Sequence, residues 1–318
     1  MIDMDPGNTT CIYSTLHYVA KIAKKQKSNP ILIFDQPLYW KALMIVESEP
    51  EESPLKCIVL KMGGLHMLIS FLGSIGYTMA DSGLCEVFET IFVKNAVVHL
   101  LSDKAISRSI RGYLIVDAVL NGLLLTKGLK KSGGGKIRNS ESNTDSEPDP
   151  GIKLREDMKD LIEQVMNGGQ VENLCNNQIV ARVESVLVSQ KAELQSSRTA
   201  KLWIQCMDMV DILRKFIQAE RMGNGPLYLK ATLEMLPYFA ATGHNHYLKS
   251  SHIYLQKMND LENEQPLVHD NYMIGLHVVQ RSNRLWAGLS ADLVILVIDQ
   301  CLLKIKKLQG GIRMWVLK

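Results

Sequence analysis

Three side chains in this sequence pair a reactive type with a position suited to use it: Asp35, His66 and Asp299. Asp35 and Asp299 share one local grammar, a β-branched apolar run followed by Asp-Gln. It occurs as ILIFDQ ending at Gln36 and as LVILVIDQ ending at Gln300. Carboxylates at the carboxyl ends of strands, or on an adjoining helix, can converge on a divalent cation that polarises a phosphate and activates a water. On that reading Asp35 and Asp299 ligate magnesium or manganese, and His66 is a third ligand or a proton-transfer group. Each residue also has a plainer reading. Asp35 followed by Pro37 is the pattern of a helix start, where an aspartate cap contributes about 1 kcal/mol with no metal. Asp299 fits a polar position on an otherwise buried helix, and His66 a hydrogen-bonded histidine where helices pack tightly.

The remaining constellations carry less chemistry. His244 and His246 are two apart and face different ways on a helix, whereas a zinc pair needs i, i+4 spacing. A hydrogen bond from His244 at a helix start is the expectation there. Cys11, Cys57, Cys85, Cys175, Cys206 and Cys301 are scattered without a C-x-x-C pair, as for free thiols in a reducing compartment. No nucleophile elbow, phosphate-cradling loop or dinucleotide fingerprint is present, so no small-molecule cofactor is expected. Trp203, Trp286, Tyr247 and Tyr254 sit at helical spacings and read as core rather than as stacking platforms.

The elements that position these residues follow from periodicity. Residues 31–34 form a continuous apolar run after Pro30, as in a buried strand, and residues 38–46 suit a short helix. A second strand is expected near 57–60, closed by Gly63-Gly64. Leu68, Phe71, Leu72, Ile75 and Met79 then mark an amphipathic helix, with His66, Ser70, Gly73, Ser74 and Tyr77 on its other side. Residues 128–151 are rich in Gly, Ser and charge and read as a disordered linker. Beyond it the pattern is helical. One stripe ends at Gly223, Pro226 starts the next helix, Pro237 is expected to kink or end it, and Pro266 stops a third.

At 318 residues, 46% apolar and 22% charged, the chain can bury a large core, which excludes pervasive disorder and a disulfide scaffold. The net charge of +3 is too small to imply a nucleic-acid partner by itself. Local clusters say more: Lys21, Lys24, Lys25 and Lys27 near the start, and Lys304, Lys306, Lys307, Arg313 and Lys318 at the end. These are solvated helix faces or phosphate-binding stripes. Residues 1–10 carry no signal-peptide pattern, and the longest uninterrupted apolar run, residues 293–298, is far below the ~20 that span a bilayer. An intracellular protein, nuclear or cytoplasmic and without a membrane partner, is the expectation.

Several phrases together carry a resemblance. They are CIYSTL from Cys11, FDQPLYWKA from Phe34, GGLHMLISFLGSIG from Gly63, LWIQCMDMV from Leu202, FIQAER from Phe216, MLPYFAATGHNHYLKS from Met235 and RSNRLWAGLSADLVI from Arg281. In order and spacing they resemble an uncharacterised family of animal proteins associated with mobile elements. The Asp-Gln strand end and the Gly-x-x-His helix start are also similar to transposon-derived proteins. By analogy this implies a ribonuclease-H-like βαβ core interrupted by a large helical region. The sequence departs from the family near its end. There Asp292-Leu293-Val294-Ile295 is followed by Leu296-Val297-Ile298 before Asp299, where the family places Glu-Gln directly. The middle acid of such a core would fall near Gly64, which supplies no charge for a second metal.

Taken together, the expected fold is mostly α with a small α/β part. The expected organisation is an α/β part over 1–127 with strands near 31–35 and 56–62, a linker over 128–151 and a helical region over 152–318. The expected function is that of a transposon-derived protein with a degenerate metal-dependent nuclease core built on Asp35, His66 and Asp299. DNA would be held by Lys304, Lys306, Lys307 and Arg313. The alternative is a non-catalytic helical scaffold that binds protein or nucleic acid through its basic ends.

Overall fold

A computed structural model describes residues 7–101, 105–133, 150–167, 177–275, 278–280 and 288–290. The chain is mostly helical with a small α/β part, and it divides into two compact units. The first comprises Met1–Ala80, Phe92–Ile106 and Asp211–Lys318, and the second Asp81–Ile91 and Ser107–Val210. The division differs from the expected 1–127 and 152–318, because chain from both sides of the glycine-rich segment enters each unit.

In the first unit, α1 (Thr9–Gln26) precedes β1 (Ile31–Phe34), α2 (Gln36–Ser48), β2 (Val59–Met62), α3 (Gly64–Thr78) and α5 (Lys94–Leu101). The strands pair in parallel, Ile31 opposite Val59 through Phe34 opposite Met62. The Gly63 amide donates to the Phe34 carbonyl at 2.7 Å and carries the ladder one step past the strands. The second strand starts two residues later than expected, because Pro54–Cys57 forms a single 3-10 turn first. Every residue of β2 is buried, including Lys61. Its ammonium lies 4.5 Å from the Tyr228 ring centre, a cation–π contact that offsets part of the desolvation of the charge.

Asp35 and Pro37 start α2 as anticipated, and that helix buries Tyr39, Ala42, Leu43, Ile45 and Val46. The apolar stripe of α3 is buried, each fully buried side chain contributing about 1.5–3 kcal/mol. Ser70 and Ser74 on its other side are buried too, so α3 is covered on more than one face.

The C-terminal half of α9 (Arg198–Met222), with α10 (Gly225–Ala241), α11 (Asn245–Glu264) and α12 (Pro266–Met273), completes the helical layer of this unit. Two short antiparallel strands follow, β3 (Val278–Gln280) and β4 (Gly288–Ser290). Gly223 takes φ 69° and ends α9 as read from the sequence. Pro237 does not end α10, which continues to Ala241. Phe71 meets Tyr238 and Phe239 edge-on at 5.9 and 6.0 Å, locking α3 to α10.

The second unit holds α4 (Leu84–Glu89), α6 (Ile106–Gly133), α7 (Pro150–Met166), α8 (Gln178–Leu194) and the first half of α9. Residues 128–133 of the expected linker continue α6, and Pro150 opens α7. The rest of that segment lies outside the described residues. A Cβ on Gly128 would stand 2.5 Å from Cγ1 of Val186, so α6 and α8 approach closely at this glycine. Asp117 is buried on α6 and accepts from Asn121 Nδ2 at 3.0 Å. Burial, and then the Asp117 charge, push the Cys206 thiol up to about 12. Lys191 pairs with Asp208 at 3.0 Å across α8 and α9.

By length and composition residues 106–131 of α6 suffice to cross a membrane, though a third (33%) of their apolar window is buried in protein. Counting uninterrupted apolar runs missed this helix, because Asp117 and Asn121 interrupt its apolar sequence.

Candidate functional site

Parallel strands carry their following helices at the carboxyl edge of the sheet, and open α/β sheets bind ligands there. Both chemistry-bearing segments of the first unit reach this edge, Asp35 after β1 and Gly63-Gly64-Leu65-His66 after β2. Asp35 is half-buried and caps α2, its Oδ1 accepting from the Leu38 amide at 3.2 Å. Gln36 beside it donates to Ser250 Oγ of α11 at 2.9 Å. Asp35→Ala is therefore expected to lower stability by about 1 kcal/mol in urea unfolding, the worth of one cap.

His66 occupies the first turn of α3 and its side chain is exposed, so it is not the packed histidine of the plainer reading. Two turns further along α3, Ser74 instead meets side chains at the turn between α10 and α11. Ser74 Oγ lies 2.9 Å from Thr242 Oγ1 and 3.2 Å from His244 Nδ1, and Thr242 Oγ1 lies 2.9 Å from the same ring nitrogen. Gly243, at φ 77°, makes the turn that brings His244 back to the start of α11. His244 thus hydrogen-bonds at a helix start, as its sequence context indicated. Ser74 is fully buried and Thr242 and His244 are half-buried, and this hydroxyl–imidazole cluster joins α3 to the end of α10 and the start of α11.

Glu220, within FIQAER, carries no local sequence signal of a site residue. A Cβ built on Gly64 would stand 1.8 Å from Glu220 Oε1 and 2.6 Å from its Cδ. The carboxylate therefore fills the volume that any side chain at position 64 would take. Gly63, the N-cap of α3, makes no side-chain cap bond, and a negative charge beside a helix N-terminus is favourable. An acid does stand at Gly64, delivered through space by α9. Adjacency in the chain could not reveal it.

Tyr247 of α11 closes the edge. Burial raises its phenol above the ordinary range, a hydrogen bond with Ser70 acts the other way, and the Asp35 charge raises it further. Ser251 is buried, and its Oγ has no hydrogen-bond partner among the described residues. Four of the phrases quoted above meet here or pack directly beneath: those containing Asp35, Gly64 and Glu220, and the one that holds Thr242, Tyr247 and Ser250.

The predicted triad is only partly in view. Asp35 and His66 share this edge, whereas Asp299 lies outside the described residues, as do Lys304, Lys306, Lys307 and Arg313. Among the described residues no group of three His, Cys, Asp or Glu side chains could hold a metal ion. The donors present at the edge do not by themselves form a magnesium or manganese site.

No curated protein and no solved structure matches the chain. A family model described as a domain of unknown function, DUF8702, matches residues 1–315. That match takes in both units and the whole of the carboxyl edge, and the chain belongs to the DUF8702 family.

Proposed function

We propose that this chain is a mobile-element-derived helical scaffold that binds nucleic acid without cleaving it. The observation that carries this reading is the outer face of α1. Cys11, Ile12, Leu16, Ala20 and Ala23 bury the inner face. Tyr18, Lys21, Lys24 and Lys25 are exposed on a helix that contains no acidic residue. Cations at i and i+4 beside a solvent-facing aromatic ring suit phosphate neutralisation together with base stacking. The commitment of Asp35 to capping α2, and the outward position of His66, favour binding over catalysis.

A second reading keeps the degenerate metal-dependent nuclease with a ribonuclease-H-like core. It is favoured by the placement of Asp35 at the carboxyl end of β1 and of the Glu220 carboxylate at Gly64. It needs Asp299 at the same edge.

Both readings are tested on the full chain with labelled single- and double-stranded DNA, with and without magnesium or manganese. Lys21→Gln with Lys25→Gln is expected to weaken binding about tenfold and to flatten the salt dependence by about two charges. No metal-dependent cleavage is expected from the wild type. Cleavage that disappears in Asp35→Ala and in Asp299→Ala would replace the scaffold with the nuclease. DNA affinity unchanged by the lysine substitutions would remove α1 as the contact.

A further inference from the structure

Helix α6 shows solvent one continuous stripe at helical spacing. Its centre is apolar: Ala118, Val119, Gly122 and Leu123 are all exposed, Val119 to 56% and Leu123 to 62%. Arg108 and Arg111 flank the centre on one side, Lys127 and Lys130 on the other, and all four are exposed. From Arg111 to Lys127 the stripe runs about 24 Å at the helical rise. The only acid of this helix, Asp117, is buried on the opposite side. Leu123, Thr126, Lys127 and Lys130 also line a concavity of about 400 Å³ at the basic end. Two carboxylates of other elements stand near the basic end: Glu193 of α8 pairs with Lys131 and also feels the Lys127 charge, and Glu163 of α7 lines the adjoining hollow together with Lys159.

The geometry points to this stripe as a surface that lies on an anionic lipid bilayer, apolar centre in the interface and cations at the headgroups. Charge decides against a second copy. The stripe is basic at both ends, so face-to-face pairing brings cation against cation whether the helices run parallel or antiparallel. A nucleic acid matches the ends but has no apolar face to cover Val119 and Leu123. An anionic interface matches both, since long basic side chains extend to the headgroups while apolar ones enter beneath them. The surface belongs to the second unit and stands apart from the α1 reading.

The test is flotation of the full chain with phosphatidylcholine vesicles, with and without phosphatidylserine. Flotation is expected only with phosphatidylserine and is expected to weaken at high salt. Lys127→Gln with Lys130→Gln should reduce binding about thirtyfold. Val119→Glu with Leu123→Glu should abolish it. All four side chains are exposed, and unchanged circular dichroism melts would show that the fold is kept. Equal binding to neutral vesicles, no flotation, or binding that survives Val119→Glu with Leu123→Glu overturns the proposal. So does preferential binding of an acidic amphipathic peptide. Loss of a concentration-dependent dimer in the glutamate variant would assign the face to a second copy instead.

Discussion

Gly275→Ala is expected to destabilise the first unit by about 3 kcal/mol, lowering its melting temperature by about 10 °C. Gly223 and Gly275 both adopt left-handed backbone, at φ 69° and 83°, where the ends of α9 and α12 touch. A Cβ on Gly275 would stand 2.2 Å from the Gly223 carbonyl oxygen and 2.5 Å from its Cα. Those are backbone atoms, so no side-chain rotation relieves the clash. The left-handed conformation adds roughly 1–2 kcal/mol of its own for a residue with a Cβ. Gly243→Ala is the control within the same unit: φ is 77° but nothing lies within 4 Å of the added carbon, so it isolates the conformational part. Thermal unfolding followed by circular dichroism separates the two. A Gly275→Ala shift no larger than that of Gly243→Ala would falsify the backbone contact.

Alkaline pH should unfold the same unit steeply. Tyr39, Tyr254 and Tyr272 are fully buried. Burial is the main reason that all three phenols are raised above the ordinary value, with Glu47 adding at Tyr39 and Tyr272 adding at Tyr254. At Tyr272 the hydrogen bond with Tyr254 acts the other way, and the Glu220 charge raises it further. The two hydroxyls lie 2.8 Å apart.

The sign follows from proton counting. Below about pH 10 these phenols are protonated in both states and contribute no pH dependence. Above it the unfolded chain releases protons that the folded chain keeps, and stability falls. Each group contributes about 1.4 kcal/mol per pH unit, so three give about 4 kcal/mol per unit until the folded-state values are reached. Urea midpoints between about pH 9 and 11 measure the slope. Removing both hydroxyls of the bonded pair, Tyr254→Phe with Tyr272→Phe, leaves little net hydrogen-bond loss and should cut the slope to roughly one third. A midpoint independent of pH across that range would show that these phenols ionise freely in the folded state.

Much of the local structure was legible because it is set over a few residues. The run at 31–34 and the Asp35–Pro37 start gave β1 and α2 their observed positions, and Gly223, Pro226 and Pro266 mark helix ends and starts where they were read. Boundaries failed where tertiary contacts extend or interrupt a pattern. Helix α6 runs to Gly133, through residues that look linker-like, because α8 packs against it at Gly128. Ser70 and Ser74 are small residues suited to close packing and both are buried, but that Thr242 and His244 are the partners of the Ser74 hydroxyl is set by segments far along the chain.

The candidate site divides in the same way. Chain-local physics determined the parallel strand–helix–strand unit, the cap at Asp35, the helical remainder and the basic, acid-free α1. Packing between remote segments decided that Glu220 occupies the space left by Gly64 and that His244 bonds to α3. It also buried Lys61 under Tyr228 and turned His66 outward. Caps and periodicity depend on backbone geometry within a turn or two, and the residue types record it directly. Which side chain fills a given volume depends on close packing among residues far apart in the chain, and no local pattern encodes that.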